Sequence, residues 1–126
     1  MKVYICLIIV LFLLVFVAAY TYFWLDSFYI EMKMLAEKML GNLLEDNYLQ
    51  TRSSYAVLKK NWDENIIMLH CVIKHSFVEQ IGTTIIRIGV YIEQNNIEEA
   101  ALEGSILLYE LKNLSDLEKL TLENIF

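Results

Sequence analysis

The chain has 126 residues, enough for a membrane segment and one small domain, and 57% of them are hydrophobic. Sixteen acidic residues against ten Lys and Arg give a formal charge of −6, which excludes the basic footprint of a nucleic-acid binder. Two cysteines build no disulfide framework, and the lack of proline with only four glycines argues for long helices over a loop-rich or all-β fold.

From Val3 to Leu25 there is no charge and no proline. A helix rises about 1.5 Å per residue, so this run is about 35 Å long and crosses a hydrocarbon core of about 30 Å. Val17 and Ala19 form a weak small-residue cleavage pattern, the mark of a removed signal peptide. The run is nevertheless longer than a signal h-region and stays apolar through Tyr22, Phe23, Trp24 and Leu25, so a retained anchor is the favoured reading. Tyr20, Tyr22 and Trp24 suit an aromatic belt at one interface and Tyr4 at the other. Lys2 and the amino terminus precede the span and Asp26 and Glu31 follow it, a contrast that Lys33 and Lys38 weaken. The positive-inside rule then gives a single-pass protein of the cell membrane, its N-terminus cytoplasmic and its domain extracytoplasmic. Residues 1–25 are the anchor and residues 26–126 the domain. Cys6 lies in the span and Cys71 in the domain, so the two form no bridge, and Cys71 is expected as a small buried hydrophobe.

Helical spacing continues past the anchor. Phe28, Met32, Leu35, Met39 and Leu43 recur every three or four residues, so anchor and first domain helix should be one rod to about Asp46. Asn47, in a left-handed conformation, is expected to end it. A second helix carries Tyr48, Tyr55, Leu58, Trp62, Ile66, Leu69 and Ile73 on one stripe and ends near Lys74 and His75, with His75 capping it. Ser76 and Glu79 read as a capping box for a third helix with the stripe Phe77, Ile81, Ile85, Ile88 and Ile92, stopped by Asn95 and Asn96. The fourth helix, about residues 97–113, turns Ile97, Ala101, Leu108, Leu111 and Leu114 to the core, with Glu98 and Glu99 suiting its N-terminus. Ser115 and Glu118 read as a further box, with the tail from Leu120 to Phe126 folding back on the bundle.

Displacing the chain by about 48 residues pairs Glu31 with Glu79, Gly41 with Gly89, Glu45 with Glu93 and Asn47 with Asn95. This spacing suggests a repeated hairpin, although amphipathic helices also match by chance. Either way the fold class is all-α: a transmembrane helix continuing into an antiparallel bundle of two hairpins, about four helices in all.

Beyond the anchor, the chain carries Trp62 in the second helix, His75 at the hairpin, residues 87–92 and 95–100, and the ending Lys119 to Phe126. In these features it resembles a family of short uncharacterised proteins from Gram-positive bacteria with an N-terminal membrane helix and a helical domain of unknown function. Phe77 stands where that family carries an acidic residue two positions after the histidine. The resemblance implies location and fold, and weakly an accessory role beside other membrane proteins.

Residues that could carry chemistry are few. Cys71, His75 and Glu79 step by four and are the only metal-ligand candidates, but Ser76 interrupts their face and paired Cys-x-x-Cys spacing is missing. No nucleophile and base share a face with an orienting third group, and the single glycines do not cradle phosphate, so neither an enzyme nor a cofactor is expected. Tyr48, Tyr55, Trp62, Tyr91 and Tyr109 are core or the wall of a groove for a partner helix. Met32, Met34, Met39 and Leu40 form a pliable apolar surface on the first helix, with Met34 off the main stripe. The expected function is a membrane-anchored, non-catalytic interaction module that sits in the lipid bilayer and binds an integral membrane protein or its own copy through this helix. The alternative is a ligand- or metal-binding sensor domain at the membrane surface.

Overall fold

The structure, a computed structural model, describes residues 1–125, with side chains as far as Leu117. It contains four helices, α1 (Lys2–Leu44), α2 (Tyr48–Val72), α3 (His75–Glu93) and α4 (Ile97–Ile125), and no strand among the described residues. The 43 residues of α1 form one unbroken rod, as expected of a stretch without proline. Its N-terminal part is long and apolar enough to cross a membrane, and none of that apolar stretch is buried.

From Leu25 onward α1 joins an antiparallel bundle, packing against α2 on one side and α4 on the other, with α3 on the diagonal. The core is built from the period-3.6 stripe of each helix: Phe28, Met32, Met39 and Leu43 of α1, Leu58, Trp62 and Leu69 of α2, Ile81, Ile85, Ile88 and Ile92 of α3, and Leu107, Leu111 and Leu114 of α4. Each such side chain, fully buried, stabilises the fold by roughly 1.5–3 kcal/mol. Trp62 meets Phe28 with ring centroids 6.2 Å apart, and Phe28 stacks on Trp24, which ties the base of the bundle to the end of the apolar segment.

Two of the three connections are the same motif. Asp46 and Asn95 take φ of 56° and 55°, and the residue after each donates its N–H back to the helix just ended, Asn47 to the Asn42 carbonyl at 3.2 Å and Asn96 to the Tyr91 carbonyl at 2.9 Å. These are Schellman closures, in which Asp or Asn tolerates the left-handed region because a short polar side chain does so best after glycine. Asn47 and Asn96 then cap the next helices, their side-chain oxygens accepting from Gln50 N at 3.3 Å and Glu99 N at 3.4 Å.

The repeat is therefore real at the turns, but its interval is 49 residues, not 48. In that register buried positions coincide: Met32 with Ile81, Met39 with Ile88, Leu43 with Ile92, Leu58 with Leu107 and Trp62 with Leu111. The left-handed residue is Asp46, and Asn47 starts α2 instead of ending α1.

Other local expectations are overturned. Lys74 is the N-cap residue of α3 without a side-chain bond, because Ile73 and Lys74 run extended and the helix begins at His75, one residue before the proposed box. His75 thus opens α3 and does not cap α2. No cap interrupts α4 at Ser115, which is buried within the helix just after the core residues Leu111 and Leu114; tertiary burial overrides its local preference. The core face of α4 is rotated by about one position, burying Ala100, Glu103, Leu107 and Glu110 and leaving Ala101 and Leu108 half-buried. The packing expected of residues 120–126 lies outside the described side chains.

Candidate functional site

Opposite its core stripe, α1 carries a second apolar stripe. Phe23, Ile30, Met34 and Leu44 are 69%, 50%, 65% and 75% exposed, with Ser27, Glu37 and Gly41 filling the intervening positions. The steps alternate between three and four residues. The same spacing runs back through Tyr20, Phe16, Leu13, Ile9 and Cys6, all exposed, so one ribbon extends along the whole rod with Glu37 its only charge. In the polar domain the exposed apolar positions of this line are Ile30, Met34 and Leu44, which makes it the candidate contact surface. Beside it, Tyr29, Lys33, Glu37, Leu108, Tyr109 and Lys112 line a groove of about 330 Å³ between α1 and α4, in which Tyr109 is largely exposed.

The four residues expected to form the partner surface divide. Met34 lies on the exposed ribbon. Met32 and Met39 are fully buried in the core, because they belong to the stripe facing the bundle interior between α2 and α4, and Leu40 is half-buried against Gly104 of α4. Phe23, Ile30 and Leu44 are ribbon residues that the sequence reading missed; for Ile30 the signal was its place four residues before Met34 and seven after Phe23.

The metal candidates are not assembled. Cys71 is exposed on the last turn of α2, where Leu69 takes the core position, so it is not the buried hydrophobe expected. His75 instead meets His70, Nδ1 to Nδ1 at 3.0 Å, while its Nε2 lies 2.8 Å from Glu79 Oε1. One ring must donate and the other accept, so the pair shares a single proton at that contact. Among the described residues no group of three or more His, Cys, Asp or Glu is placed to hold a metal ion.

A second, more open groove separates α2 from α3, the neighbouring helices that approach least closely. Tyr55, Lys59, Asp63 and Gly89 line an upper part of about 590 Å³, and Trp62, Ile66, Gly82 and Ile86 a lower part of about 380 Å³. Tyr55 spans it, donating its hydroxyl to the Ile85 carbonyl at 2.9 Å, and burial pushes its pKa up. The charges here are paired: Arg52 with Glu93 and Lys59 with Asp63, each at 2.8 Å. The hydrogen bond to Asp63 raises the Lys59 pKa. Of the expected aromatic set, Trp62 is core, Tyr55 and Tyr91 are half-buried against it, and Tyr48 and Tyr109 are exposed.

Two buried carboxylates on α4 also escaped the sequence reading, since acids there pass for a solvated face. Glu110 accepts from Thr84 Oγ1 at 2.6 Å, and the second oxygen of each of Glu103 and Glu110 lacks a partner. Burial raises the Glu110 pKa, against the Thr84 hydrogen bond that lowers it; Glu103 adds to the rise and Arg87 opposes it.

No curated protein and no solved structure matches the chain. A family model, the domain of unknown function DUF4363, matches residues 19–125, from the end of the apolar segment through α4. The chain belongs to the DUF4363 family.

Proposed function

We propose that this protein is a membrane-anchored, non-catalytic interaction module whose first helix binds an integral membrane partner through its outward ribbon. The observation that carries this reading is the continuity of the ribbon: Phe16, Tyr20, Phe23, Ile30 and Met34 are exposed on one line that passes from the apolar segment into the polar domain. Lipid covers the first part, while Ile30 and Met34 in the second are exposed among the described residues. Burying Ile30 and Met34 against a partner removes a water-exposed apolar patch, a favourable step at about 25 cal/mol per Å². The N-terminus is cytoplasmic and the bundle lies on the outer side of the cell membrane, from the charges flanking the span.

The test is the double variant Ile30→Glu/Met34→Glu, examined by native electrophoresis of mild-detergent extracts from the protein's own cells. A complex larger than the single chain is expected for wild type and absent for the variant, with the thermal unfolding of the domain unchanged. Survival of the complex in a folded variant sinks the reading. Leu40 is unsuitable for this test, because a charge against Gly104 would disrupt the bundle itself.

A second reading, a metal sensor at the membrane surface, draws on the His70–His75 contact. Two imidazole nitrogens 3.0 Å apart are close enough to ligate one ion after losing their shared proton, with Glu79 orienting His75 from the second nitrogen. Two protein ligands make a weak site, and this reading ranks below the first.

A further inference from the structure

The ribbon on α1 is flanked by charges, and their order says which helix it accepts. With Ser27, Met34 and Gly41 at heptad position a and Phe23, Ile30, Glu37 and Leu44 at d, Glu31 and Lys38 fall at e and Asp26 and Lys33 at g. Asp26 is half-exposed and the other three are exposed. Among the described residues none of the four has an ion-pair partner, whereas Lys59, Lys60 and Arg52 of α2 all do.

Two copies of this chain share one topology in the membrane, so their first helices could pair along the ribbon only in parallel. Parallel pairing sets each g residue against the e residue of the other helix one heptad on. Asp26 would then face Glu31 of the second copy, and Lys33 would face its Lys38, on both sides of the seam. Glu37 would face its own copy at the centre. Every charged contact in such a dimer is repulsive, a pattern that rejects self-pairing while leaving the apolar seam intact. An irregular or extended ligand is no better, because a segment following the ribbon into the hydrocarbon must satisfy its own backbone as a helix.

We infer that the α1 seam receives a transmembrane helix of a different protein, one with basic residues level with Asp26 and Glu31 and acidic residues level with Lys33 and Lys38. The inference rests on the proposed interaction function and names its partner. Basic residues at the lower level would stand where the helix leaves the membrane, and the acidic ones one to two turns further out.

The probe is a second version of the full chain with the flanks reversed: Asp26→Lys, Glu31→Lys, Lys33→Glu, Lys38→Glu, together with Glu37→Lys. Both versions carry Met34→Cys at the seam, with Cys6→Ala and Cys71→Ser, and are distinguished by tag length. They are co-expressed in membranes and oxidised. Native with reversed chain is expected to give about tenfold more disulfide than native with native or reversed with reversed, as complementary e and g charges direct pairing. A cysteine at Glu64 on the outer face of α2 gives the collision background. Equal crosslinking of native with native would overturn the inference and leave the proposed function in place as self-association. No crosslink above background in any pairing would overturn the inference, because the seam then fails to pair even with complementary flanks, and would leave the proposed function to the Ile30→Glu/Met34→Glu test. Should the reversed chain fail to fold, the variant Glu31→Lys/Lys33→Glu changes only two exposed residues. It makes every g–e contact of a self-pair attractive, so it should crosslink to itself where the native chain does not; failure to do so overturns the inference.

Discussion

Leu40 of α1 lies directly over Gly104 of α4, where a Cβ would stand 2.8 Å from Leu40 Cδ2. The equivalent contact 49 residues away is inverted: Gly89, the counterpart of Leu40, lies under Tyr55, the counterpart of Gly104. The two hairpins thus meet twice across an approximate two-fold relationship, each time with a large side chain on a glycine. All four glycines sit inside helices, and this reciprocity, which no composition argument provides, explains Gly89 and Gly104, each at a propensity cost of about 1 kcal/mol.

Gly89→Ala is expected to destabilise the domain by about 1–3 kcal/mol, since the new methyl group displaces the Tyr55 ring and its hydrogen bond to the Ile85 carbonyl. Gly41→Ala meets nothing within 4 Å and should stabilise by up to about 1 kcal/mol. Urea unfolding of the two variants in detergent checks both signs. A stabilised Gly89→Ala would mean that the helices are not held at this distance.

Glu110 makes stability depend on pH. Its folded pKa is raised above the ordinary glutamate value of 4.5, chiefly by burial, so folding takes up a proton between the two values. The penalty for the buried carboxylate is fully present above the folded pKa and disappears as pH falls through it toward the unfolded value. Glu110→Gln, which keeps an acceptor for Thr84, is expected to be more stable than wild type at neutral pH, with the difference closing as pH falls. Thermal unfolding across that range measures it, and a difference that is constant with pH would count against the burial of the charge.

Cys71 reports topology. It is exposed in the bundle, whereas Cys6 sits near the start of the apolar segment. A membrane-impermeant maleimide applied to intact cells should label wild type and not Cys71→Ser. Labelling only after permeabilisation would place the bundle in the cytoplasm.

The His70–His75 pair separates the two functional readings. Elemental analysis of protein purified in detergent is expected to find no stoichiometric zinc, copper or iron. One equivalent of metal that disappears in His70→Ala would favour the sensor reading. His75→Ala should cost less than about 1 kcal/mol of stability, because its contact with Glu79 is exposed.

Much of the fold was legible in the sequence because period-3.6 spacing is strong in α1 and α3, where Phe28, Leu43, Ile81, Ile85 and Ile88 are core as their spacing implied. Errors came where two local solutions compete. Asp46-Asn47 and Asn95-Asn96 each offer two residues able to close a helix, and the backbone used the first of each pair for the left-handed turn and the second as a cap. Ser76 and Ser115 carry cap-like neighbours, but α3 starts at His75, ahead of the exposed Ser76, and burial holds Ser115 within α4. On α1 the difficulty was different: two apolar stripes run along one helix, and spacing alone does not say which faces the bundle. Met32 and Met39 therefore passed for surface, and Ile30 was overlooked. The rotation of α4 hid for a related reason, since burial of Glu103 and Glu110 contradicts the usual place of an acid.

The most direct measurement is photocrosslinking from a benzoyl-phenylalanine placed at Met34 in the protein's own cells, with the same probe at Glu64 as comparison. One discrete adduct with an integral membrane protein, formed from position 34 and not from position 64, is the result expected of an interaction module that works through the α1 ribbon. No adduct from position 34, or the same adducts from both positions, would contradict it.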